Sequence, residues 1–143
     1  MNPKDISNTL RLTCTRKALF RHWLEYLSPL HHLTGRELDI ATAFLVEHDR
    51  LSKVILDDEL LNRTLMSEDT QKKIREDCNV TKQHFGVIKT HLKDKKFFDG
   101  NKIQARLIPN IDKMVKDKYF ILMLVFEIKD DVQGDNTESS QGA

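Results

Sequence analysis

The chain has 143 residues, 39% hydrophobic and 31% charged, with a formal net charge of +1. That length suits one domain with a sizeable core, the composition argues against bulk disorder, and so small a net charge does not by itself announce a nucleic-acid binder. The two cysteines, Cys14 and Cys78, lie far apart and imply no disulfide framework, so a reducing, cytoplasmic compartment is expected.

Residues 1–8 read as a loose arm without the pattern of a signal peptide. Thr9 to Thr15 alternates, with Leu10, Leu12 and Cys14 on one side, and predicts a short strand. Thr15 then caps a helix from Arg16 to about Leu27. Its apolar face carries Leu19, Phe20, Trp23, Leu24 and Leu27, and Ser28-Pro29 stops it. His31-His32 reads as a solvated turn. Thr34-Gly-Arg-Glu37 is a capping-box pattern, with Leu33 and Leu38 at the staple positions. The helix that follows runs from Gly35 to about Leu51, with Leu38, Ala41, Phe44, Leu45 and His48 on one side. A further short helix is expected around Asp57–Leu65. Its carboxylates Asp57, Asp58 and Glu59 fit a helix start better than a metal site.

Ser67 to Arg106 carries the most information. Ser67 caps a helix with Glu68 and Asp69 in its first turn, ending near Cys78 with Asn79 at the left-handed position. Thr81 caps the next helix, with Val80 and Phe85 as its staple. Phe85, Ile88 and Leu92 give that helix one apolar face. The opposite face is expected to carry Lys82, Gln83, Gly86, Lys89, Thr90 and Lys93. Phe97, Phe98, the turn residues Asp99-Gly100-Asn101, and Ile103, Ala105 and Leu107 read as a β-hairpin. Pro109-Asn110 breaks the chain, and Ile111 to Lys118 is a polar connection. Tyr119 to Ile128 is the one long apolar run. It is too short to span a membrane as a helix, and its aromatic and β-branched content predicts a strand. The residues after Lys129 form an acidic tail expected to be disordered in solution.

This order of elements predicts an α+β fold, mainly α: a winged helix-turn-helix domain over residues 16–128. An N-terminal arm and short strand (residues 1–15) precede it, the Tyr119–Ile128 strand is added at its end, and the flexible tail covers 129–143. Charge is unevenly distributed. Residues 72–106 hold ten Lys or Arg against four Asp or Glu, whereas residues 37–71 hold three against nine. The most basic block therefore coincides with the second helix of the turn motif and the hairpin. A basic patch there would supply the phosphate attraction on which most DNA affinity rests.

Other chemistries lack their residues. None of the six histidines stands in a metal-binding spacing, and the five glycines are scattered singly with no phosphate loop. Cys78, at a helix end, reads as a small core residue, and Trp23 sits at core spacing. His84 and His91 are expected to share a surface face. No catalytic residue, metal or cofactor is expected, and the reading is non-enzymatic.

The capped first helix (Leu33-Thr-Gly-Arg-Glu-Leu38), the turn Cys78-Asn-Val-Thr81, the Phe85/Ile88/Leu92 spacing and the hairpin from Lys96 to Leu107 together resemble winged-helix domains of MarR-type regulators and plasmid replication initiators. The resemblance covers residues 34–108. It implies that Thr81, Lys82, Gln83, Lys89 and Lys93 face a DNA groove or its phosphates, with Lys95 and Lys102 on the wing. The stretch from Phe20 to Ile128 also resembles small uncharacterised proteins of tailed phages, including the crAss-like group. Two function classes follow. One is a DNA-binding regulator of a phage or mobile element, acting on double-stranded DNA in the cytoplasm. The other is a structural or assembly protein of the phage particle, located in the virion. Both faces of the Tyr119–Ile128 strand are apolar, so the core helices are expected to cover one and the N-terminal segment Met1–Leu27 or another subunit the other. Tyr119, Phe120, Leu122, Leu124 and Phe126 are the expected protein interface, in a homo-oligomer or against phage structural proteins.

Overall fold

The computed structural model describes residues 11–116, 119–123 and 125–130. The chain divides into two compact units, residues 8–110 and residues 1–7 with 111–143. The described part is mainly helical with small antiparallel pairings.

In the first unit, Thr15 caps α1 (Arg16–Tyr26), its side chain accepting the Ala18 amide at 3.1 Å. Residues 11–15 are neither helix nor strand, and Leu12 is exposed. This corrects the expected strand over its described part, Thr9 and Leu10 lying outside the described residues. A strand needs a neighbour to take its backbone hydrogen bonds, and among the described residues none pairs with 11–15. Ser28-Pro29 ends α1 as expected but also starts α2 (Ser28–His31), with proline in the first turn, where its missing N–H is no loss.

His31 is buried, not solvated as expected. Its Nδ1 accepts the Leu33 amide at 2.9 Å, and its Nε2 lies 2.7 Å from the Leu24 carbonyl. These partners select the neutral tautomer with hydrogen on Nε2. The ring thereby ties α1 to the entry of α3, where His32 turns left-handed at φ 55° and Gly35 takes φ +47°.

The next helix, α3 (Gly35–Ser52), is the centre of the unit. It begins with the expected capping box, Glu37 Oε1 accepting the Thr34 amide at 3.2 Å. It packs against α1, α4 (Asp58–Leu65), α5 (Glu68–Cys78) and α6 (Lys82–Asp94). Ile40, Ala41, Phe44, Leu45 and Leu51 are its buried apolar residues. The Phe44 ring stacks on Phe85 of α6, with centroids 6.1 Å apart, and meets Phe98 edge-on at 5.1 Å. Phe97 meets Phe98 at 5.0 Å. Polar ties hold the other sides. Arg16 makes two 2.9 Å bonds to Asp49, and the buried Glu47 accepts Lys73 of α5 at 2.9 Å and Arg50 at 2.8 Å.

The hairpin is smaller than expected. Only β1 (Phe98–Asp99) and β2 (Lys102–Ile103) pair, in the register Phe98 to Ile103 and Asp99 to Lys102. Ala105–Leu107 forms a 3-10 turn instead of continuing the strand. The turn buries Leu107 and presents its carbonyl to Trp23 Nε1 of α1 at 2.8 Å, a bond that an ordinary strand continuation would redirect.

In the second unit, Ile111–Met114 is a short helix, α7, rather than a polar connection. The expected ten-residue strand is reduced to β4 (Tyr119–Phe120), antiparallel to β3 (Val115–Lys116). Residues 121–123 and 125–130 are neither helix nor strand. High β-propensity alone does not make a strand, because β3 offers only two residues to pair with. Leu124 and the acidic tail beyond Asp130 lie outside the described residues.

Phe44→Ala is expected to lower unfolding free energy by about 3–5 kcal/mol in a urea titration. Leu60→Ala, at a position 45% exposed, should cost far less, about 1 kcal/mol or under. A pH effect follows from His31, whose imidazole is held below the usual histidine range by burial, against the pull of its bond to Leu24. The unfolded chain therefore binds the proton more readily, and stability must fall as pH drops below about 6.5. His31→Gln should flatten that slope in denaturation midpoints between pH 7 and 5, leaving the part due to His48, whose ring burial also holds low.

Candidate nucleic-acid interface

The connection from α5 to α6 follows the sequence closely. Ser67 caps α5, accepting the Thr70 amide. Asn79 takes φ 55°, ψ 56°, and the Val80 amide returns to the Arg75 carbonyl at 2.9 Å. Thr81 Oγ1 then caps α6, accepting the His84 amide at 3.2 Å. Arg36 of α3 fixes the turn from outside, its Nη2 donating to the Cys78 carbonyl at 2.6 Å and the Asn79 carbonyl at 3.3 Å. Nothing in the local pattern marks Arg36 for this role, since its partner lies 42 residues away. Cys78 itself is half-buried, and burial raises its thiol pKa, which keeps it protonated and inert.

Phe85, Ile88 and Leu92 are buried, so α6 has the expected phase. The helical period then divides its remaining residues into three strips. Gln83, Gly86, Val87, Thr90 and Asp94 lie on the outward strip and are exposed. Lys82, Lys89 and Lys93 lie along one flank. His84 and His91 lie along the other.

The flanks differ in how far their charges are already engaged. Lys82 and Lys93 are exposed. Lys89 is half-buried and points to α5, its Nζ donating to Gln71 Oε1 at 3.0 Å. Burial, then the charge of Lys93, holds its ammonium below the usual lysine range. Lys89 is thus on the α5 flank and not on the face opposite the core, which corrects its expected position. Its long side chain bends along the neighbouring helix toward an amide oxygen. His91 shares an exposed flank with His84, as expected, and also reaches α3. Its Nδ1 lies 3.1 Å from Glu37 Oε2 of α3.

Lys95 is not on a wing. It is the C-cap residue of α6, and its Nζ donates to Glu37 Oε1 at 2.6 Å and the His32 carbonyl at 3.0 Å. Burial pushes the Glu37 carboxyl upward, but the hydrogen bonds from Lys95 and the Thr34 amide, with the charges of Lys95 and His91, hold it below the usual carboxylate range. One carboxylate at the start of α3 therefore draws in two side chains near the end of α6, Lys95 and His91.

Lys102 is exposed on β2, opposite Asp99. Both line an open groove of about 900 Å³ with Asp58, Glu59, Asn62 and Arg63 of α4. That groove mixes signs and offers no concentrated positive charge. Among the described residues, no group of three or more His, Cys, Asp or Glu side chains is placed to hold a metal ion, and no helix is long and apolar enough to cross a membrane.

Two outward residues were not singled out from the sequence as functional. Val87 is 48% exposed, an apolar side chain on the polar side of the helix. Its offset from the Phe85/Ile88/Leu92 stripe is the signal that could have found it. Gly86 sits in the helix interior, and a β-carbon built there meets nothing within 4 Å. Packing among the described residues therefore gives no reason for glycine at this position. Gly86→Ala is expected to raise unfolding free energy by about 0.5–1 kcal/mol, the ordinary helix-interior difference, measured by denaturant titration.

No protein-family model, curated protein or solved structure matches this chain.

Proposed function

We propose that this chain is a non-enzymatic DNA-binding protein of winged-helix type, with α5 and α6 as its helix-turn-helix and the β1–β2 hairpin as a short wing. The observation that carries the reading is the outward surface of α6. The helix, capped by Thr81, presents Gln83, Gly86, Val87 and Thr90 on its outward strip, beside the flank that carries Lys82 and Lys93. Each residue type has a use against a duplex. Lysines neutralise phosphates, Gln83 suits an adenine edge, and Val87 suits a thymine methyl. Gly86 lets a sugar-phosphate strand come close to the helix backbone. Lys102 would serve the wing. Lys95, held by Glu37, contributes least to phosphate attraction, and Lys89 supports the flank through Gln71. A regulatory role in a phage or mobile element accords with the resemblances noted above.

A second reading, a structural or assembly protein of a phage particle, is favoured by one observation. Val125, Phe126 and Ile128 are each more than 80% exposed in the second unit, and apolar side chains of that kind suit a protein partner.

Titration with a generic duplex at two salt concentrations separates the readings. The DNA-binding reading expects affinity that falls steeply with salt, and Lys82→Ala or Lys93→Ala should each lower the salt slope by about one unit. Lys95→Ala should change the slope less. Gly86→Ala should weaken binding several-fold while leaving the fold at least as stable. Absence of duplex affinity at low salt would overturn the reading in favour of the assembly role.

A further inference from the structure

The outward strip of α6 carries chemistry that phosphate attraction does not use. Gln83, Gly86, Val87 and Thr90 are exposed along it. At about 1.5 Å of rise per residue, Val87 lies about 6 Å beyond Gln83 along the helix axis, and Thr90 about 4.5 Å beyond Val87. Stacked base pairs are about 3.4 Å apart, so this stretch matches about three steps of a duplex. No lysine or arginine, the usual readers of guanine, stands on the strip.

Two of these residues offer apolar groups. Val87 is 48% exposed. Thr90 offers a second, because its Oγ1 donates to the Gly86 carbonyl one turn back at 3.1 Å. That bond commits the hydroxyl to its own helix and leaves the Cγ2 methyl for a partner. Gly86 places no side chain beside them. Val87 and Thr90, three residues apart, are neighbours on the helix surface, with the amide of Gln83 one turn before Val87. Asp94, a further turn on, carries a carboxylate that repels phosphate and ends the stretch suited to a duplex.

We propose that this strip recognises the 5-methyl group of pyrimidines in the major groove, thymine above all, with Val87 and Thr90 as the methyl contacts and Gln83 selecting an adjacent adenine. The inference rests on the DNA-binding reading above and specifies which base edges that surface takes. The thymine methyl is the apolar substituent that a base edge presents in the major groove, so an apolar pair facing the bases is matched by it. The glutamine amide donates and accepts at once, which fits adenine N6 and N7 in one bidentate contact. 5-Methylcytosine carries the same methyl without the adenine, so the two parts of the recognition are separable.

The test uses the full chain and four duplexes of one length. These are a mixed-order A·T duplex, the same with deoxyuridine for every thymidine, a mixed-order G·C duplex, and the same with 5-methylcytosine for every cytosine. The A·T duplex should bind tightest. Its uracil form should bind about fifteen-fold less tightly, the product of two methyl contacts at about four-fold each. Methylated G·C should bind several-fold more tightly than plain G·C and less tightly than A·T. Val87→Ala and Thr90→Ser should each reduce the thymine-to-uracil ratio to about four-fold, and together bring it close to one, with the salt slope unchanged. Thr90→Ser retains the hydroxyl that bonds Gly86 and removes only the methyl. Gln83→Ala should narrow the preference for A·T over methylated G·C and leave the thymine-to-uracil ratio in place. Equal binding of the thymine and uracil duplexes overturns the inference and leaves the DNA-binding reading standing. A thymine preference that survives the double variant overturns it too, since the methyl is then read elsewhere, as does methylated G·C that binds no better than plain G·C. Absence of binding to all four duplexes at low salt overturns both the inference and the reading beneath it.

Discussion

The contact of Phe44 with Phe85 and Phe98 is the constraint on which the first unit depends. One ring on the central helix touches both the helix proposed to read DNA and the first strand of the hairpin. Aromatic pairs at these separations combine large buried area with a preferred geometry, so they fix orientation as well as distance. Ile88 and Leu92 continue the same seam along α6, and Phe97 extends it into the hairpin. A shift of α6 by one residue would rotate Phe85 away from Phe44 and turn the outward strip inward. The proposed surface is therefore positioned from behind, by a packed core that has no part in binding.

Polar contacts then decide which charges on that surface stay available. Glu37 caps its own helix and also holds Lys95, with His91 beside it. Gln71 holds Lys89 from the α5 side. What remains exposed on α6 is Lys82 and Lys93 at the two ends of one flank, the outward Gln83, Gly86, Val87 and Thr90 beside them, Asp94 at the helix end and the two histidines of the other flank. This arrangement suits a phosphate backbone running past the helix better than a compact anion in a pocket. The groove beside α4, with carboxylates and cations interleaved, offers no competing anion site.

Much of the first unit was legible in the sequence because its signals are local. Thr15, Ser67 and Thr81 each cap the helix expected of them, Glu37 closes its capping box, and Asn79 takes the left-handed turn. The 85/88/92 spacing gave the phase of α6, and with it the outward face. What the sequence hid is set by contacts between distant residues. Burial of His31, the Arg36 bonds to the α5–α6 turn, and the capture of Lys95 by Glu37 all join positions brought together only by packing. The hairpin and the Tyr119–Ile128 run were overestimated for a related reason. Strand propensity is local, but a strand exists only where a neighbour takes its hydrogen bonds, and the run from Ile121 has no such neighbour among the described residues.

The most direct test of the central claim is to map a bound duplex onto the chain residue by residue. Amide spectra of the isotopically labelled protein would be recorded with a short duplex at low and raised salt. The account predicts that the amides of Gln83, Gly86, Val87, Thr90 and Lys93 shift together, that those of Glu25 and Tyr26 on α1 do not, and that the shifts fade as salt rises. Shifts confined to α1 or to residues 119–130, or a spectrum unmoved at low salt, would contradict it.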